Sequence, residues 1–436
     1  GESMASRKQR TAEEDAILAK AAKYLPGAST GNVYYKAEDA LIIKEARGSK
    51  VFDYSGNEYI DYLLGSGPML IGHAHLEVVA AVSEVVSRGS TYFSTNSAAV
   101  DLAEKIVNAV PCADMVRFVS SGSEATYFAL KVARAYRKRD KVVKFEGGYH
   151  GTNDYALMSV TPTSLKDFPQ ATADSAGIPK VLEGEVLVCP YNDLETTSAI
   201  IEKHHDDIGG VIVEPCQRII PPRPGFLEGL REITSHYQIP LIFDEVVTGF
   251  RWSYGGAQEY YGVTPDLATF GKAVGGGYPL AAIAGGEEIM RVFDPASKEE
   301  GSFVPGVGTL SGNPIAATAG LATLRVLKRE GSIEKIWATG NRLKSEFTRL
   351  LKEKEIPGVV VGEAPCFDVY FGVEEVTDYR DSLKANSEMM GRFNHHMLES
   401  GVLKGHQKYY ISLAHSAEDV DKTIEAMDYA LDQAKG

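Results

Sequence analysis

The chain of 436 residues contains few cysteines, and they show no pairing pattern: Cys112, Cys189, Cys216 and Cys366 are widely separated, without a CxxC pair. This spacing indicates neither a disulfide framework nor a thiolate zinc site, so a reducing cytoplasm is the expected compartment. None of the ten histidines stands in an HExxH or comparable spacing, and no metal site is expected.

Long apolar runs and an excess of positive charge are also missing. No stretch of about eighteen apolar residues occurs, and the N-terminal region has no apolar signal core, so no membrane partner is expected. The net charge of −14 disfavours a nucleic-acid partner, because phosphates would repel the chain. The apolar content of 44% is that of an ordinary globular protein, and the length allows two or three domains.

Strand-like and helical segments alternate through the middle of the chain. Apolar runs such as EVLVCP, GGVIVEP and PLIFDE are separated by amphipathic stretches such as DLETTSAIIEKH. This alternation predicts an α/β fold with a mainly parallel, doubly wound sheet. Helices are also predicted over residues 4–24 and after a Ser416 cap, and a strand is predicted over KYYISLA.

An acid and a lysine stand at the ends of two of the predicted strands. Asp244 ends the run LIFD, and Lys272 lies between LATFG and AVGGG. The carboxyl ends of parallel strands open into the ligand crevice of such a sheet. Lys272 is therefore interpreted as forming a Schiff base with pyridoxal phosphate, and Asp244 as pairing with the pyridinium nitrogen, which makes the ring an electron sink. A turn-capping aspartate and a loop lysine are the structural alternative for either residue alone.

Two further segments suit the same ligand. Ser121, Gly122 and Ser123 open a predicted helix, where small residues and free N–H groups favour a phosphate. An ordinary N-cap is the alternative for these serines. Tyr149 lies between glycines after the strand KVVKFE, with His150 beside it. It can offer a stacking face to a planar ring, and local packing is the alternative.

These segments and their order resemble the class III, fold-type I aminotransferases, and within them most closely the glutamate-1-semialdehyde aminomutases. The strongest similarity lies in MVRFVSSGSEATYFALKVARAY, KFEGGYHG, IFDEVVTGFR, DLATFGKAVGGGYPL and GTLSGNPIAATAGLATL. The resemblance implies a large cofactor-binding domain over residues 76–325, with a mainly parallel seven-stranded sheet flanked by helices. It also implies a small α+β domain over residues 326–436, to which residues 1–75 contribute.

The resemblance implies roles for individual residues on the cofactor side. Lys272 would hold the cofactor and carry the proton, and Asp244 would contact the ring nitrogen. Val246 and Tyr149 would cover the two ring faces, and Glu214 would lie near the phenolic side.

The resemblance also implies a homodimer with its sites at the interface. Gly122 and Ser123 would bind the phosphate of their own subunit, whereas Thr309 would reach the phosphate of the neighbouring one.

The substrate side departs from the aminomutase pattern. The segment STGNVYY lacks the arginine that helps those enzymes bind the substrate carboxylate, and Gln407 stands where they have a glutamate. Tyr34 and Tyr92 are expected near the entrance, where they would suit an apolar substrate, with plain packing as the alternative. Arg218 is a candidate carboxylate contact.

The function expected is a two-step amino transfer from a donor amine or amino acid to a keto or aldehyde acceptor. Pyridoxal phosphate is the expected cofactor, with pyridoxamine phosphate as its intermediate form. An aminomutase is the first alternative, because it moves the amino group within one molecule. An amino-acid racemase or epimerase of the same fold is the second. A pyridoxal-phosphate-binding regulatory module is disfavoured, because the acidic chain has no basic helix-turn-helix stretch.

Overall fold

A computed structural model describes residues 6–435 of the chain. Its strands are β1 Ile43–Arg47, β2 Lys50–Asp53, β3 Glu58–Asp61, β4 Met115–Val119, β5 Lys141–Phe145, β6 Val186–Cys189, β7 Ile208–Val213, β8 Leu241–Asp244, β9 Leu267–Phe270, β10 Ala281–Gly285, β11 Gly358–Glu363, β12 Cys366–Phe371, β13 Val402–Leu403 and β14 Tyr409–Tyr410.

The α-helices of the same residues alternate with the strands in the middle of the chain and dominate its end. They are α1 Ala12–Tyr24, α2 Leu76–Val86, α3 Ser97–Ala109, α4 Gly122–Arg137, α5 Leu194–His204, α6 Phe226–His236, α7 Gly256–Tyr261, α8 Glu287–Met290, α9 Pro314–Lys328, α10 Ser332–Glu353, α11 Tyr379–Ser382, α12 Ser387–Glu399 and α13 Ala417–Ala434. None of them combines the length and the apolar character that a membrane span requires.

A seven-stranded sheet, in the order β4-β10-β9-β8-β7-β5-β6, forms the centre of the molecule. Neighbours from β9 to β6 pair in parallel, whereas β10 is antiparallel to both β9 and β4. The α/β fold with a mainly parallel sheet is therefore confirmed. Every residue of β7 and β8 is buried, as expected for parallel strands that helices cover on both faces.

Two smaller sheets lie beside the central one. A three-stranded sheet has the order β11-β12-β14, and a four-stranded sheet has the order β1-β2-β3-β13. In the second sheet β13 pairs in parallel with β3, through Val402 opposite Ile60. Residues from both ends of the chain thus share one sheet, while the domain boundaries at 75 and 325 stay a prediction.

Two predicted elements are shorter than expected. Residues 4 and 5 of the predicted first helix lie outside the described residues, and α1 begins only at Ala12, because Thr11 caps it by accepting a hydrogen bond from Glu14 N. The predicted strand KYYISLA keeps only Tyr409 and Tyr410 in a ladder. The strand stops there because the N–H of Ser412 donates instead to the ring of His415.

Candidate active site

The carboxyl ends of the parallel strands open into one cavity of about 900 Å³. The turns that follow β5, β7, β8 and β9 all contribute to its lining, as does the start of α4. This is where ligands bind in open α/β sheets. Every residue predicted for the site lines this cavity except Tyr34, Tyr92 and Thr309.

Lys272 follows β9 in a tight turn, with a φ of 46°. Its Nζ donates a hydrogen bond to the carbonyl of Ser66, which comes from a distant part of the chain. Burial lowers the pKa of Lys272, and although Tyr410 acts to raise it, the neighbouring cations Lys408, Arg251 and Arg218 lower it further. The amine is therefore easier to deprotonate than an exposed lysine, as a nucleophile or proton carrier requires.

Asp244 is buried at the end of β8 and makes a close contact with His150. His150 Nδ1 lies 2.7 Å from Asp244 Oδ2, within hydrogen-bond distance. The other oxygen, Oδ1, accepts hydrogen bonds from Thr269 Oγ1 at 3.2 Å and from Val246 N at 3.1 Å. These three contacts hold the carboxylate in one orientation inside the cavity.

The start of α4 forms a small cradle. Ser121 caps the helix by accepting a hydrogen bond from Glu124 N at 3.2 Å. Its side chain therefore has the ordinary N-cap role, which was the alternative to binding a phosphate. The N–H groups of Gly122 and Ser123 belong to the first turn, where no preceding helical carbonyl is available to them. Such groups are suited to bind an anion.

A glycine lets the loop after β5 approach the start of α4 closely. Gly151 has a φ of 92°, and a Cβ there would lie 2.6 Å from Ser123 Oγ. Only glycine fits this combination of backbone angle and close approach.

Tyr149 and Val246 line the same cavity as the start of α4 and Lys272. The Tyr149 side chain is 40% exposed, and its N–H donates to Glu214 Oε2 at 3.0 Å. Glu214 thereby fixes the backbone of the tyrosine. The methyl groups of Val246 fill the space beside Gly122, where a Cβ would come within 3.0 Å of Val246 Cγ1.

Three of the predicted residues lie away from this cavity. Tyr34 is 70% exposed and packs on Gly27, and Tyr92 donates its hydroxyl to the carbonyl of Arg88 at 3.0 Å. Thr309 is exposed on a loop. From the segment STGNVYY, it is Asn32 that lines the cavity.

Three residues near Lys272 were not singled out from the sequence. Tyr410 is buried, with Lys408 Nζ at 3.3 Å from its hydroxyl and the Arg251 guanidinium 5.1 Å from its ring centre. Burial raises the pKa of the Tyr410 phenol, but the nearby cations Lys408, Lys272 and Arg251 outweigh it and lower the pKa. Arg251 is also buried and donates to the carbonyls of Val247 and Gly67.

Gln407 reaches the cavity, but its amide is already engaged. Its Nε2 donates to the carbonyl of Val369 at 2.6 Å. The cavity thus combines a primary amine of lowered pKa, a fixed carboxylate, free backbone N–H groups and an aromatic face. Such a set can bind a planar ring that carries an aldehyde, a basic nitrogen and a phosphate.

Comparisons with known proteins agree with this chemistry. A family model described as "Aminotransferase class-III" matches residues 33–431. The chain is 41% identical over 406 residues to the glutamate-1-semialdehyde 2,1-aminomutase of Natranaerobius thermophilus, covering 91% of this chain and 92% of that protein.

Among solved structures, an omega-transaminase from Sphaerobacter thermophilus superposes with a TM-score of 0.91 at 32% identity, covering 97% and 98% of the two chains. A transaminase with pyridoxal phosphate bound gives a TM-score of 0.89 at 28% identity, covering 98% of this chain and 99% of that one.

Proposed function

This chain belongs to the class III aminotransferases, which use pyridoxal phosphate, and we propose that it moves an amino group from a donor amine or amino acid to a separate carbonyl acceptor. The observation that carries this choice is the composition of the substrate side. Asn32 is the residue of the segment STGNVYY that lines the cavity, and the amide of Gln407 is bound to the backbone. Both features differ from the pattern of the aminomutases.

The residues of the cavity fit the cofactor. The N–H groups of Gly122 and Ser123 would hold its phosphate, and Gly151 lets the neighbouring loop pack closely against Ser123. Tyr149 and Val246 would cover the two faces of the ring. Asp244 would contact the ring nitrogen, and a carboxylate there favours the protonated ring.

The bound cofactor would supply an aldehyde that takes up amino groups and a protonated ring that accepts electrons from the substrate carbon. Lys272 Nζ would hold the cofactor between turnovers and move the proton at the reacting carbon. Its lowered pKa, caused first by burial, suits both tasks. His150 would keep Asp244 in place through the contact between Nδ1 and Oδ2.

We also propose that the protein is a homodimer in which Thr309 reaches the phosphate of the neighbouring subunit's cofactor. Exposed apolar side chains flank Thr309, with Val307 71% and Leu310 45% exposed, and such side chains are typical of a surface that a partner covers. Sedimentation analysis should give a dimer. Thr309→Ala should weaken cofactor binding roughly 10-fold by removing a hydrogen bond to a charged group. A fully active monomer would refute this arrangement.

Incubation of the holoenzyme with single amino donors, without any keto acid, tests the main proposal. An aminotransferase should release up to one carbonyl product per subunit and retain the amino group on the cofactor, which absorbance reports. A racemase would instead exchange the α-proton in heavy water and release no carbonyl product.

The aminomutase stays the second candidate, because the 41% identical relative carries that name. Glutamate-1-semialdehyde, whose 2-amino group a 2,1-aminomutase moves to carbon 1, should be tested in the same assay. Rapid rearrangement of this compound, with no release of a carbonyl product from any donor, would favour the aminomutase and overturn amino transfer between molecules.

A further inference from the structure

Two cations that form no ion pair with a carboxylate of residues 6–435 line the cavity. Arg218 follows β7, and Lys408 immediately precedes Tyr409–Tyr410 of β14, so two distant segments bring positive charge to one place. Both residues are partly buried. Both also lower the pKa of Lys272, which shows that their charges act on the amine at the centre of the cavity.

Arg218 stands at the tip of a tight turn that aims it into the cavity. Gln217 and Ile220 exchange two backbone hydrogen bonds of 2.9 and 2.7 Å, which leaves Arg218 and Ile219 as the two turn residues. Arg218 has a φ of 60°, a conformation for which such turns prefer glycine or asparagine. The buried Gln217 secures the turn by donating its amide to the carbonyl of Glu146 at 2.9 Å. Strained positions of this kind cluster at functional sites.

The contacts of both cations in the cavity are with aromatic rings. The Arg218 guanidinium lies 5.4 Å from the centre of the Tyr149 ring. Lys408 Nζ lies 5.4 Å from the centre of the Tyr410 ring and 3.3 Å from its hydroxyl. A ring face and a phenol hydroxyl orient a cation, but neither is a carboxylate that would pair with its charge.

Other cations close to these two in sequence are paired. Arg223 contacts Glu375 at 3.3 Å, and Lys404 contacts Asp368 at 2.8 Å. Within residues 6–435, by contrast, no carboxylate lies at ion-pair distance from Arg218 or Lys408. Partly buried charges normally find a partner, and the missing partner here is an anion that enters from solution.

The phosphate of the cofactor is not that anion, because the free N–H groups at the start of α4 provide for it separately. Asn32, the cavity residue of the segment STGNVYY, carries no charge, so that segment does not bind an anion through an ion pair. We propose that Arg218 and Lys408 together bind the carboxylate of the substrate, which makes the preferred donor or acceptor an amino acid or oxo acid rather than a simple amine. This inference rests on the proposed function for the role of the bound molecule.

Direct binding to the holoenzyme tests the carboxylate site apart from turnover. The probes are glutarate and hexanoate, each compared with its neutral amide, and the measurement is isothermal titration calorimetry. Wild-type protein should bind the carboxylates at least 10-fold more tightly than the amides. Lys408→Met and Arg218→Gln should each lower this affinity roughly 10- to 100-fold, the usual effect of losing a hydrogen bond to a charged group. Arg223→Met is the matched control and should leave the affinity unchanged.

A second arm uses donors that differ only in the carboxylate. Alanine and 2-aminopropane share the same skeleton, with a carboxylate in one replaced by a methyl group in the other. Both Lys408→Met and Arg218→Gln should raise KM for alanine roughly 10-fold more than KM for 2-aminopropane, because only alanine loses the contact with its carboxylate. The visible spectrum should show that both variants still bind the cofactor, which a merely structural defect would prevent.

Two results would overturn the inference. One is equal binding of carboxylates and amides by the wild-type protein, and the other is unchanged carboxylate affinity in both variants. Selective carboxylate binding without amino transfer from any donor would instead contradict the proposed function and leave the binding site standing. If Arg218→Gln fails to fold, Lys408→Met alone decides, because Lys408 is not at a strained turn.

Discussion

The two sides of the cavity are built in opposite ways. On the cofactor side, Asp244 is fixed by His150, Thr269 and Val246, so its carboxylate has no free orientation. On the substrate side, Arg218 and Lys408 touch aromatic groups and have no carboxylate partner within residues 6–435. On the cofactor side the protein itself supplies the hydrogen-bond partners of the charged group, whereas on the substrate side a ligand would supply the partner of the two cations. Substitutions on the two sides should therefore differ in whether their effect depends on the substrate.

The largest effect is expected for Asp244→Asn. Losing the carboxylate removes the group that favours the protonated ring, so kcat/KM should fall roughly 10²–10³-fold, the usual loss for one preorganised electrostatic contact. The fall should be equal for donors with and without a carboxylate, which steady-state kinetics measure. Thr269→Val is the matched control: it removes one hydrogen bond to Asp244 but keeps the charge, so its effect should stay within about 10-fold. If kcat/KM of Asp244→Asn fell only for donors with a carboxylate, Asp244 would act on the substrate side, and the two sides would not differ as described.

An intermediate effect is expected for Gly151→Ala. The new Cβ would lie 2.6 Å from Ser123 Oγ, at a φ of 92°, so either the cradle or the loop must shift. Cofactor affinity, measured by titrating the apoenzyme, should fall roughly 10- to 100-fold, which corresponds to about 1.4–2.8 kcal/mol.

Gly177→Ala separates the clash from the backbone strain. Gly177 has a φ of 89°, but nothing lies within 4 Å of a Cβ there. It should lower stability slightly and leave cofactor affinity unchanged. Equal weakening by both variants would mean that backbone strain, and not the close approach to Ser123, lowers the cofactor affinity.

The smallest effect is expected for Tyr410→Phe. The change removes the hydroxyl that Lys408 Nζ approaches to 3.3 Å and keeps the ring beneath the cation. KM for carboxylate donors should rise about 2- to 10-fold, in line with one ordinary hydrogen bond. KM for amines without a carboxylate should not change. An equal rise for both kinds of donor would show that Tyr410 supports the whole cavity rather than its substrate side.

Much of the fold could be predicted because its signals are local. The alternation of apolar runs and amphipathic stretches gave the mainly parallel sheet, and the positions of Asp244 and Lys272 after their strands followed from it. The Ser416 cap was also confirmed, with Asp419 completing a capping box. Each of these features depends on a few residues that are neighbours in the chain, so it can be predicted from one sequence.

The substrate side could be predicted only in part, because distant segments assemble it. Tyr410 reaches the cavity through pairing with Cys366 and a backbone hydrogen bond to Tyr62 at 2.8 Å. No local pattern marks such a contact. Arg218 was recognised as a candidate contact, but its strained turn was not, because arginine is not a typical residue for a positive φ.

Some of the predicted site residues line the cavity of a single chain, and others lie outside it. Lys272, Asp244 and Tyr149 line one cavity, and their roles stay predictions until the cofactor is located. Tyr34, Tyr92 and Thr309 lie outside that cavity, and for Thr309 the predicted contact belongs to a second subunit. That contact requires two subunits, so it cannot form within one chain.

Locating the cofactor on the chain is the most direct test of the central claim, that Lys272 holds it. Borohydride reduction of the holoenzyme fixes the cofactor to its lysine, and peptide mass spectrometry then identifies that residue. We expect a pyridoxyl group on Lys272 in the segment LATFGKAVGGG, in a yield close to one per subunit. A pyridoxyl group on Lys408, on the buried Lys144 or on any other lysine, with Lys272 unmodified, would contradict the account.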